Sequence, residues 1–186
     1  KDLKELISQA KQAELKRDFL LKHLVIFARG GYGRAELSFA SDRDLGYCLD
    51  IQQLSSGEAE ICRQFIIHIE HLLRISGIET AHQYFELNED LTRFKELSTI
   101  HTIPAILESR VLLGSNNLAN ALKRRFFQIL PYETFVLSQI RDYHDRAVPG
   151  LSQMNLKEDQ GGLRSLQIPL WLAAATFGVF PNQTAD

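Results

Sequence analysis

Residues 30–44 read GGYGRAELSFASDRD: a glycine cluster, ten intervening residues after Gly31, and then the acidic pair Asp42 and Asp44. Just before them, Leu24, Val25, Ile26, Phe27 and Ala28 are a short apolar run that predicts a buried strand feeding a turn. Gly30, Gly31 and Gly33 admit positive φ and let a ligand approach backbone N–H groups, which suits a polyphosphate. On the strand predicted over Asp42 to Leu49, period-two alternation puts Asp42 and Asp44 on one face, with Cα atoms roughly 6.6 Å apart. Two carboxylates so spaced can share divalent cations and hold a metal-bound nucleoside triphosphate.

Two other glycine motifs do not fit. A dinucleotide fingerprint read from Gly31 would need glycine where Glu36 stands, and a P-loop needs Gly-Lys followed by Ser or Thr, which the chain lacks. What remains, Gly-Gly, about ten residues and Asp-x-Asp, resembles the DNA polymerase β-like nucleotidyltransferase superfamily. Within it, GGYGRAEL followed by SDRDL resembles the bacterial PII-protein uridylyltransferase family. A second stretch, NLKEDQGGLRSL over Asn155 to Leu166, is similar to that family's later signature, and LESRVLLGS over Leu107 to Ser115 to its link between catalytic and helical parts. The resemblance runs from about residue 24 to about residue 175. Three positions depart from it: Arg29 and Arg43 stand where the family has apolar residues, and Ser165 where it has aspartate. A buried unpaired arginine would be costly, so each either sits at the rim of the site or pairs with nearby acids.

The resemblance implies a metal-dependent transferase that moves a nucleoside monophosphate, UMP first, from UTP, with ATP the alternative donor, to a hydroxyl of a protein acceptor such as the trimeric PII signalling protein of nitrogen regulation. It implies Mg²⁺ or Mn²⁺ at Asp42 and Asp44, and a third carboxylate from a later strand, for which Glu79 is the candidate and His82 the alternative. Parity allows only one of the two to point inward. Gly30, Gly31 and Gly33 would cradle phosphates. Arg34 would reach a phosphate or pair with Glu36, and Ser41 would donate to phosphate or start the strand. Lys157 and Arg164, flanking a Gly161-Gly162 hinge, would close over the nucleotide from a helical module, so that the site is a cleft between two modules. The other reading is a catalytically impaired, nucleotide-binding regulatory module of the same fold, which Arg29, Arg43 and Ser165 favour.

Composition limits other classes. At 186 residues and 45% hydrophobic content the chain can bury a core, and its net charge of −2 with interspersed signs argues against nucleic acid as partner. No apolar run approaches the roughly 20 residues of a membrane span. Cys48 and Cys62 have no metal spacing around them and read as buried free thiols. The chain starts at Lys1 and its one methionine is Met154, which predicts a piece of a longer cytoplasmic, bacterial protein.

The fold class expected is α/β, a small polymerase β-like sheet with flanking helices over residues 1–114, then a helical module over 115–186. Leu3, Leu6, Ile7, Ala10, Ala13 and Leu20 predict an amphipathic opening helix. A short helix is expected near Arg34 to Leu37 and a long one from Ser55–Gly57 to about Ile75, with Ile61, Phe65, Ile69 and Leu72 inward. A third strand is expected over Ile78 to Phe85. Beyond Asn88 only helices are expected: Pro104 to Leu113, 116–129, 132–146 and, after a loop over Pro149 to Gly162, Leu163 to Phe177 around Pro169. His68 with His71 and His144 with Asp145 read as exposed helix faces, and Trp171 as core.

Overall fold

The computed structural model describes residues 14–37, 41–52, 54–88, 101–129, 132–146 and 155–177. The expected opening helix lies outside them except for its end, residues 14–23 (α1), and so does the loop from Pro149 to Met154. The chain divides into two compact units, Lys1–Glu89 with Arg110–Leu122 and Asp90–Ser109 with Lys123–Asp186.

The first unit is a mixed sheet with helices. Strand β1 (Leu24–Ala28) leads into a single helical turn α2 (Gly30–Gly33), β2 (Arg43–Leu49), helix α3 (Ser56–Ile75), β3 (Thr80–Glu86) and, much later, β4 (Arg110–Gly114). Sheet order is β3-β2-β1-β4. β1 runs antiparallel to β2 and β4, while β2 and β3 are parallel, the arrangement a helical crossover such as α3 makes possible. This is the α/β class expected.

Period two sorts the sheet residues. Leu24, Ile26, Leu45, Tyr47 and Leu49 share the face that buries against Cys62 and Ile66 of α3. On the opposite face Val25, Phe27, Cys48 and Phe85 are also buried, with the Phe27 and Phe85 rings stacked at 6.3 Å. Phe27 lies across Gly46, where an added Cβ would stand 2.1 Å from the ring. Helix α3 starts with a capping box, Ser55 and Glu58 satisfying each other's backbone N–H. Its buried stripe is Ala59, Cys62 and Ile66, with Phe65, Ile69 and Leu73 partly buried beside them. Ile61 and Leu72, expected inward, are exposed. The stripe at 59, 62, 66, 69 and 73 keeps the three-and-four spacing, and 61 and 72 fall outside it. Both thiols are free and buried, as expected.

β4 is the largest correction to the sequence reading. The helix expected to run to Leu113 is α4 (Thr102–Leu107), and Arg110–Gly114 then pairs with β1. A three-residue apolar run, Val111 to Leu113, ahead of Gly114 and Ser115 does not distinguish strand from helix by periodicity. Gly114 sits at φ +96 with its hypothetical Cβ 2.0 Å from the Leu24 carbonyl oxygen, so glycine is required for this pairing.

Helices α5 (Asn116–Ile129), α6 (Tyr132–Asp145) and α7 (Leu163–Phe177) follow as expected. In the second unit α7 packs on α4 and α6, burying Ile103, Ile106, Leu107, Phe135, Ile168, Trp171 and Ala174. The Trp171 indole N–H donates to Glu108, and the Lys123 ammonium donates to the Ser109 carbonyl at 3.0 Å. No helix among the described residues is long and apolar enough to cross a membrane.

Two stability tests follow from these contacts. Gly114→Ala should cost about 3 kcal/mol or more in denaturant unfolding, while Gly57→Ala, in open helical space, should be neutral or gain a few tenths of a kcal/mol. Burial also lowers the Lys123 pKa from 10.5 to about 8. Between those values the unfolded chain binds more protons, so unfolding free energy should rise with pH across that window and no further above it. Lys123→Met should remove that rise, on the order of 3 kcal/mol, in urea titrations at stepped pH.

Candidate functional site

The glycine cluster and the acidic pair meet at the sheet end after β1. Arg29 is extended, and its backbone N–H donates to the Asp44 carbonyl at 2.9 Å, tying the start of the turn to β2. Gly30 then adopts φ +50, and a Cβ there would lie 3.6 Å from Asp44 Oδ2. Of the three glycines, Gly30 alone uses positive φ; Gly31 and Gly33 belong to the helical turn closed by Gly33 N–H to Arg29 O and Arg34 N–H to Gly30 O. The short helix is therefore Gly30–Gly33 rather than Arg34–Leu37, and Ala35 at φ 61 ends it. The leading N–H groups of such a turn lack intrahelical acceptors.

Arg34 donates to Glu36 at 2.6 Å, the pairing alternative, and its guanidinium lies 3.8 Å from where a Gly31 Cβ would be. Arg110 of β4 donates to the Tyr32 carbonyl at 3.4 Å with its guanidinium 5.9 Å from the Tyr32 ring centre, bracing the turn from the other side.

Asp44 is the second residue of β2, its side chain 42% exposed, on the face opposite α3. Asp42 precedes the strand and is exposed; Ser41 beside it is half-buried. Glu79 is not a strand residue: β3 begins at Thr80, and Glu79 stands exposed ahead of it. The parallel register Arg43↔Thr80 nevertheless brings Asp42 and Glu79 to the starts of neighbouring strands. His82 faces α3, with Nδ1 3.4 Å from Glu70 Oε2, in a cluster where Tyr47 and Thr80 also donate to Glu70. Burial, together with that bond to Glu70, pushes the Tyr47 hydroxyl pKa up. A cavity of about 1070 Å³ opens on this side, lined in part by Tyr47, Glu70, His82, Asp42 and Glu79.

Arg29 resolves one open alternative. It is buried, 9% exposed, and its guanidinium donates from Nε to the Leu45 carbonyl at 2.9 Å and from Nη1 to Gln83 Oε1, with Nη2 4.0 Å from Asp44 Oδ1. Burial lowers its pKa, and Asp44 partly offsets that. Arg43 is exposed. Gln83 and Arg110 went unnoticed in the sequence. The available signal for Gln83 was a polar residue in the period-two phase of Glu79.

In the second unit, Asn155 Oδ1 accepts the Lys157 and Glu158 N–H groups, Leu163 N–H donates to Leu156 O, and Gly161 N–H donates to Ser165 Oγ. The glycine pair is thus a bonded turn opening α7 and not a loose hinge. Gly161 has φ +83, and a Cβ on Gly162 would lie 2.7 Å from the Leu156 carbonyl oxygen. Lys157 is exposed, while Arg164 pairs with Glu158 at 3.1 Å and approaches His101 at 3.3 Å.

Among the described residues no three His, Cys, Asp or Glu side chains gather to hold a metal. Two accessible carboxylates at one strand start do suit Mg²⁺, which takes one or two carboxylates and completes its shell with water and phosphate oxygens.

No family model matches the chain. Curated relatives do. It is 32% identical over 162 residues to a bifunctional uridylyltransferase/uridylyl-removing enzyme of Azospirillum brasilense, a match that covers 83% of this chain and 17% of the relative. Similar enzymes of Caulobacter vibrioides and Zymomonas mobilis are 34% and 31% identical, over 82% and 81% of this chain and 16% of each relative. The chain therefore spans about one sixth of the length of the relatives it matches.

Gly162→Ala should destabilise the second unit by about 2 kcal/mol or more, because backbone oxygens at 2.7 and 2.9 Å must move. Limited proteolysis and thermal melting would read this. A freely moving hinge would tolerate the change.

Proposed function

For a chain that is PII-uridylyltransferase-like over some four-fifths of its length, we propose that the sheet end at Gly30 and Asp44 is the catalytic centre of a metal-dependent nucleotidyltransferase. The observation that carries this reading is the placement of the Gly30 turn beside the Asp44 carboxylate: a Cβ at Gly30 would lie 3.6 Å from Asp44 Oδ2, in ordinary contact, so the glycine turn and the strand carboxylate are direct neighbours. Homology to named uridylyltransferases supports UTP as donor, and a protein hydroxyl, PII-like, as acceptor.

In this reading Asp42 and Asp44 hold one or two Mg²⁺ or Mn²⁺ ions, with Glu79 the candidate third carboxylate. A divalent ion held by these carboxylates would supply neutralisation of charge on the α-phosphate and on the leaving pyrophosphate. The acceptor hydroxyl oxygen bonds to the α-phosphorus as the bond to the pyrophosphate oxygen breaks, and its proton passes to solvent. Gly30 and Gly31 present backbone N–H groups to the β- and γ-phosphates; Gly33 keeps the turn tight. Arg34 lies over Gly31 and is placed to exchange Glu36 for phosphate, while Ser41 offers a hydroxyl beside Asp42. A regulatory module that binds nucleotide without turnover is the second reading; the buried Arg29 next to Asp44 favours it.

Binding of magnesium–UTP and magnesium–ATP to Asp42→Asn, Asp44→Asn and Gly31→Val tests the assignment. Each should melt close to the unaltered chain, since both acids are accessible and Gly31 has room for a Cβ, and each should lose at least tenfold in affinity. Unchanged affinity in both aspartate variants contradicts the site. Affinity lost with them, but no transfer by the unaltered chain, selects the regulatory reading.

A further inference from the structure

We propose that Arg29 is a positioning residue that keeps the Asp44 carboxylate from capturing a free divalent cation, so that metal enters the site together with the triphosphate. The inference rests on the nucleotidyltransferase reading.

The guanidinium is fixed where it stands. Nε is committed to the Leu45 carbonyl and Nη1 to Gln83, and the side chain is buried, so it cannot swing into solvent when a cation approaches. Asp44, by contrast, keeps an open side, and its Oδ1 lies 4.0 Å from Nη2. Pairing at that distance offsets much of the single negative charge Asp44 can offer. What remains for a hydrated dication is Asp42 with the exposed Glu79 at the neighbouring strand start, a thin ligand set for Mg²⁺, which sheds water reluctantly. A fixed positive charge beside the site also repels the bare ion.

The sign reverses when the ion arrives on a triphosphate. The complex is anionic overall, so the same guanidinium attracts it, and the phosphate oxygens supply the ligands that the protein lacks. Gln83 completes the device. It accepts from Arg29 without neutralising it, and register places it on the Asp44 face, across from Gly46. A glutamate at 83 would cancel the guanidinium and add a further carboxylate on that face.

The test is Mn²⁺ binding in the absence of nucleotide, followed by the paramagnetic resonance of free Mn²⁺, beside binding of magnesium–UTP to the same proteins. The quantity read is the ratio of the two affinities. We expect it to shift toward free Mn²⁺ by tenfold or more in Arg29→Met and in Gln83→Glu, while Arg29→Lys, which keeps the charge, stays within a few-fold of the unaltered chain. Circular dichroism establishes that each variant is folded; should Arg29→Met not fold, Gln83→Glu carries the comparison. An unchanged ratio in folded Gln83→Glu overturns the proposal. Failure of the unaltered chain to bind magnesium–UTP at all overturns instead the nucleotidyltransferase reading beneath it.

Discussion

The hydrogen bond from the Arg29 amide to the Asp44 carbonyl is the constraint on which the site depends. It extends the β1–β2 ladder one residue past Ala28↔Leu45, so the chain must leave β1 beside the start of β2. There the chain turns at Gly30 with φ +50, a backbone conformation that glycine adopts readily and other residues rarely do, beside the Asp44 carboxylate. The rest of the first unit secures that bond. Phe27 covers Gly46, α3 buries the opposite face, and β4 clamps the outer side of β1 through the close pass of Gly114 under Leu24.

A buried arginine in this position would be a liability alone. Here three oxygens face it: a main-chain carbonyl, a neutral amide and a carboxylate. The first two are hydrogen-bonded and hold the side chain in place; the third is close enough to feel its charge while remaining accessible. Such an arrangement trades affinity for a bare cation against affinity for an anionic complex. That is a useful exchange for a site whose proposed substrate carries its own metal.

Much of this was legible in residues 24–49. The apolar run Leu24–Ala28, the glycine cluster and the alternation of Asp44 with buried Leu45 and Tyr47 give strand, turn and strand without tertiary knowledge. Most of what was not legible depends on distant partners. Arg110–Gly114 becomes a strand because β1 offers an open edge, and no local pattern signals that. The commitment of Arg29 to Gln83 spans 54 positions, whereas the bonded turn at Gly161 and Gly162 is local, made with Leu156, Asp159 and Ser165, and composition alone does not separate it from an open loop. Glu79 was misplaced by the ordinary one- or two-residue uncertainty of strand ends. That shift decides whether an acid belongs to the sheet or stands ahead of it.

The central claim is that the chain transfers a nucleotide and not a phosphoryl group. The most direct measurement is incubation with UTP labelled at the α-phosphate or, separately, at the γ-phosphate, with Mg²⁺ and a trimeric PII-type acceptor. The account predicts label on the acceptor from α-labelled UTP alone, with labelled pyrophosphate released from the γ-labelled nucleotide. Label reaching the acceptor from the γ-position would contradict it, and so would release of inorganic phosphate in place of pyrophosphate.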